Sequence, residues 1–91
     1  MTPEEHAQAV EDEQRRLRRL RTVVDLASNV LAQGRLGQAE ALALVAAARK
    51  QALALFPDKE ATFDLILAPR FARLVAEFAL PGGRVLPFRR P

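Results

Sequence analysis

Cysteine, tryptophan and tyrosine are missing from this 91-residue chain, and histidine, serine, methionine and isoleucine occur once each. Without cysteine there is no disulfide framework and no thiolate metal site, and a reducing compartment fits. The only histidine, His6, lies near a helix end that should fray, and reads as a surface residue rather than a catalytic base. The only serine, Ser28, sits mid-helix with no second histidine to activate it, which excludes a serine triad. No H-E-x-x-H pattern or carboxylate cluster offers metal ligands. The four glycines, Gly34-x-x-Gly37 and the pair Gly82-Gly83, resemble no phosphate loop. No catalytic, cofactor-binding or metal-binding residue is therefore expected. The longest wholly apolar run, Ala41 to Ala48, is far short of the ~20 residues that cross a bilayer. The opening stretch "MTPEEHAQAVEDEQ" has neither the basic nor the apolar region of a signal peptide, so a cytoplasmic location is expected.

What the chain does have is alanine and leucine, the residues that lose least side-chain entropy in a helix. No stretch alternates apolar and polar over a strand's length. The length suits one domain that buries a little over ~60% of the surface its unfolded chain exposes. The fold class expected is all-α, a small antiparallel bundle of three to four helices over residues 1–80. A Pro/Gly/Arg tail over 81–91 is expected to be extended and basic.

Thr2-Pro3-Glu4-Glu5 is a helix start, with a capping residue, a proline suited to the first turn and a T-x-x-E capping box. Leu17, Leu20, Val24, Ala27 and Leu31 then follow 3-4-3-4 spacing, and Gly34 is a natural stop. A helix this long has few apolar anchors in its first half, which is expected to protrude or to meet a partner. A second helix from Gln38 to Phe56 is apolar nearly all round and should pack on two sides. Asp58 is the expected N-cap of a third segment. Its stripe Phe63, Leu67, Phe71, Leu74, Phe78 is interrupted by Pro69, which removes a backbone donor and clashes with the carbonyl of Leu65. A kink or break at Ala68-Pro69 is expected, with Phe71 and Phe78 in the core and Asp64 wet. "Ala-Pro-Arg-Phe" at 68–71 reads as that helix restarting.

The net charge of +3 is unevenly placed. Residues 1–80 sum to zero, and Arg84, Arg89 and Arg90 supply the whole excess. A whole-domain basic footprint is absent. The run "RRLRRLR" at 15–21 puts five arginines in seven positions. Glu11, Asp12 and Glu13 precede Arg15 and Arg16 at helical pairing distance, and Asp25 follows Arg21 by four. Arg18 and Arg19 have no such neighbour. The run therefore reads first as a solvated, largely self-paired helix face.

A helix-turn-helix reading of residues 38–80 would place "DKEATFDL" where a recognition helix reads bases, and its acids would repel phosphate. Nucleic acid is disfavoured as a partner for that reason and for want of stacking aromatics. "LRTVVDLASNVLAQGR" resembles the first helix of the all-helical chorismate mutases at Leu20, Arg21, Val24 and Asp25. Ser28 stands where that family has an acid, and Gly34 and Gly37 end the helix early, so no catalytic residue carries over.

The reading that follows is a protein-protein interaction module without chemistry of its own: a small accessory, adaptor or assembly subunit, partnered by another protein, by itself, or by both. Its contact residues are expected to be Arg15, Arg18 and Arg19 on the first helix and Arg84, Val85, Leu86, Phe88, Arg89 and Arg90 in the tail. In the tail, apolar residues bracketed by cations have the make-up of a docking peptide, or of a segment that folds back to cap the chain's own bundle. A nucleic-acid-associated protein using Arg15–Arg21 and the tail arginines is the alternative. A small helical enzyme is the third.

Overall fold

A computed structural model of the chain describes residues 1–81. Among these, the fold is all-helical, with α1 (Pro3–Ala32), α2 (Gln38–Leu55) and α3 (Glu60–Phe78) packed pairwise as a bundle. The count is three helices; the fourth would have needed a break at Pro69.

α1 begins with the capping box its sequence encodes. Thr2 Oγ1 accepts from the Glu5 amide at 3.1 Å, and the Thr2 amide donates to Glu5 Oε1 at 2.9 Å. It ends where Gly34 adopts a φ of 69°, a left-handed conformation that costs a residue with a Cβ about 1–2 kcal/mol. α2 starts with half of a similar device. Glycine has no side chain to accept, but Glu40 reaches back to accept the Gly37 amide at 3.0 Å. α3 starts one residue later than the sequence indicates. The turn after α2 is closed by the Lys59 amide donating to the Phe56 carbonyl at 3.1 Å, which leaves Lys59, not Asp58, at the N-cap.

Val24, Ala27 and Leu31 of α1, Ala41, Ala48 and Ala52 of α2, and Phe63, Phe71 and Val75 of α3 form the core. The buried face of α2 is all alanine, which lets its backbone approach both neighbours. The larger side chains of α1 and α3 then fill the space, Phe71 completely. Phe63 and Phe71 lie 6.3 Å apart between ring centroids, in a tilted arrangement of the kind aromatic pairs favour. α2 is less enclosed than its composition implies: Leu42, Ala43, Ala46 and Ala47 are exposed.

α3 runs unbroken through Pro69. The proline is exposed, as is Leu65, whose carbonyl loses its intrahelical donor. Because Leu65 is exposed, that carbonyl is open to solvent rather than sealed in the core. Phe63 and Phe71, six residues before and two after the proline, clamp both halves to the same core. Phe71 and Val75 therefore reach the interior without a break, whereas Phe78, at the end of the bundle, remains 37% exposed. Beyond α3 the Leu80 amide donates to the Leu36 carbonyl at 2.7 Å and ties the chain to the α1–α2 turn.

Replacing Phe71 by Ala should lower unfolding free energy by about 3–5 kcal/mol in a urea titration followed by circular dichroism. Pro69→Ala should raise it by about 1–3 kcal/mol, because the restored hydrogen bond outweighs the lost stiffness of the unfolded chain.

Candidate interaction site

Helix length places the site. At ~1.5 Å per residue α1 spans ~45 Å, while α2 and α3 span ~27 and ~28 Å. Neither can cover the first turns of α1, and its first buried residue is Val24. The apolar seam does not stop there. Val10, Leu17, Val24 and Leu31 recur every seventh residue. Val24 and Leu31 are buried, whereas Leu17 is 49% and Val10 43% exposed.

Where α1 leaves the bundle, an open groove of about 390 Å³ forms against the C-terminal end of α2 and the first half of α3. Leu17 and Leu20 form one wall, Phe56 the end, and Phe63, Ile66 and Leu67 the other wall. Glu13 and Lys59 stand at its rim as opposite charges. Ile66 and its neighbour Leu65 are 61% and 77% exposed, so apolar surface continues out of the groove along α3.

On the other flank of α1, Arg15, Arg16 and Arg19 line a shallow cleft of about 220 Å³ with Gln51, Ala54 and Leu55. This is the last turn of α2, which has no basic residue of its own. The arginines of α1 thus stand at the negative end of the α2 dipole and supply the missing charge from a neighbouring helix. Arg16 lies over the Phe56 ring, 5.6 Å from its centroid, where the cation meets the negative face of the ring.

Of the ion pairs the helical spacing allows, Asp12 with Arg15 forms, at 3.1 Å. Glu11, Glu13 and Asp25 make no ion pair among the described residues, and neither do Arg16, Arg18, Arg19 or Arg21. Arg18 and Arg19 are exposed. The structure therefore brings Arg15 and Arg19 together at the end of α2 and leaves Arg18 on the open helix surface. Arg84, Val85, Leu86, Phe88, Arg89 and Arg90 lie outside the described residues.

The sequence gives no sign of one site. Arg49 on α2 donates from Nη2 to Glu60 Oε2 at 2.6 Å, and from Nε and Nη2 to Asp64 at 3.1 and 3.2 Å. Its guanidinium also lies 5.9 Å from the centroid of Phe63. The hydrogen bonds from Asp64 and then Glu60 raise its pKa above the ordinary arginine value. Both carboxylates thereby share one cation, and the exposed Asp64 is a structural tie between α2 and α3. Ser28 Oγ is buried with no hydrogen-bond partner among the described residues. Among the described residues no helix is long and apolar enough to cross a membrane.

No protein-family model, curated protein or solved structure matches the chain.

Asp64→Asn should lower the melting temperature and make it less sensitive to salt. Glu77→Gln, on an exposed carboxylate that makes no ion pair among the described residues, should leave both nearly unchanged. Thermal denaturation at low and high ionic strength reads the difference.

Proposed function

We propose that the chain is a non-enzymatic interaction module, a small accessory, adaptor or assembly subunit. Its contact surfaces are the charged first half of α1 and the C-terminal tail. The observation that carries this reading is the apolar groove beside the overhanging part of α1, with Val10 and Leu17 continuing a seam that is buried further along the same helix. An isolated helical stretch of this length is marginal in water and gains its stability from packing of an apolar face. A seam of this kind, edged by charge, is the surface that a protein partner covers. Arg18 and Arg19, exposed and without a carboxylate, add a positive edge that selects an acidic counterpart. In the tail, Val85, Leu86 and Phe88 between Arg84 and Arg89-Arg90 supply the second, peptide-like contact.

The same two unpaired arginines favour the alternative, contact with nucleic acid. The two readings separate on Leu17→Glu and on Arg18→Glu with Arg19→Glu. If a protein is the partner, either variant keeps its helicity but loses the proteins captured from the source cells. If nucleic acid is the partner, fluorescence anisotropy with mixed DNA and RNA shows steeply salt-dependent binding, which the charge reversals abolish and Leu17→Glu spares.

A further inference from the structure

We infer that the partner covering the overhanging half of α1 is a second copy of this chain, laid antiparallel along it. The inference rests on the reading of that half as a contact surface and names its occupant.

Charge along the helix selects this arrangement. Glu4, Glu5, Glu11, Asp12 and Glu13 precede the five arginines of 15–21, so the first half of α1 carries a negative block followed by a positive one, whose Arg15, Arg16 and Arg19 also meet the end of α2. Little of this is neutralised within the helix, since the Asp12–Arg15 pair is the one ion pair it makes among the described residues. Two helices in contact lie 8–10 Å apart, about one Debye length at physiological salt. A parallel pair would set arginine run against arginine run at that distance. With the two-fold axis near residue 15, an antiparallel pair sets Glu11 and Asp12 of each copy against Arg19 and Arg18 of the other. One chain thus carries both halves of a self-complementary, two-fold surface.

Part of the apolar seam meets in the same register. In antiparallel heptad packing the residues of one seam face the offset residues of the other. With the two-fold axis near residue 15, Val10 of one copy faces Leu20 of the other, and Leu17 faces Glu13. Leu17 and Leu20 already form a wall of the groove, and Val10 of the second copy supplies the missing apolar knob. Ile66, exposed on the opposite wall, is covered by the same helix. By symmetry both grooves fill at once.

The test uses the full chain, whose lack of cysteine makes cross-linking unambiguous. Sedimentation should give twice the chain mass of 10.1 kDa, with a dissociation constant that rises with salt. Leu17→Glu should raise that constant about tenfold or more at unchanged helicity. A chain carrying both Val10→Cys and Leu20→Cys should form an interchain disulfide on oxidation, because the two Cα atoms approach within about 7 Å. Val10→Cys alone should not, since its two copies lie ~15 Å apart. Efficient cross-linking of Val10→Cys alone would mean a parallel pair and overturn the inference. So would a dimer indifferent to Leu17→Glu, or a chain that dimerises only after residues 82–91 are deleted, in which case the tail fills the groove. A monomer that nonetheless binds a different protein through Leu17, Arg18 and Arg19 overturns the self-pairing and leaves the contact surface standing. A monomer that binds nothing there overturns both.

Discussion

Each residue adds ~1.5 Å to a helix whatever its side chain, so a helix of 30 residues laid beside helices of 18 and 19 must overhang. This mismatch governs the rest of the molecule. It ends the core at Val24, opens the groove where α2 and α3 stop, and leaves Leu17 and Val10 wet although they belong to the stripe that Leu31 and Val24 bury. The capping box at Thr2 and Glu5 stabilises the far end of the overhang. The result is a well-formed helix whose first turns have nothing among the described residues laid against them.

The arginines show how one composition acquires different roles by position. Arg15, Arg16 and Arg19 meet the C-terminal turn of α2, and Arg16 rests on Phe56. Arg49 is spent on Glu60 and Asp64, joining α2 to α3. Arg18 faces outward. Residues three or four apart on the same helix are the pairs a sequence reader can count, and just one of those counted, Asp12 with Arg15, forms. Arg16 instead rests on an aromatic face and a dipole end of another helix, which lie nearby only because the bundle turns the chain back on itself. Arg21 and Asp25 make no ion pair among the described residues.

Pro69 is instructive for a similar reason. Inside a helix it removes one donor and crowds one carbonyl, and from the sequence a break is the cheapest response. The structure places that defect on the solvent side, where the carbonyl is open to solvent, while Phe63 and Phe71 hold both halves to one core. A break would forfeit burial worth more than the single lost hydrogen bond. Asp64, which a helical wheel puts near Phe71, stays exposed because Phe71 lies deep between the helices and Asp64 nearer the end, facing Arg49.

What the sequence determined by itself is local. Helical identity follows from alanine and leucine content, the start of α1 from Thr2 and Glu5, its end from Gly34, and the core stripe of α1 from its spacing. Each depends on residues within a turn or two of one another, where backbone geometry alone sets who meets whom. Tertiary structure decided the continuity of α3, the ties of Arg49, the exposure of Phe78 and Leu42, and the groove itself. Those depend on which helix ends coincide in space, and no local spacing encodes that, because it follows from the lengths and close approach of all three helices together.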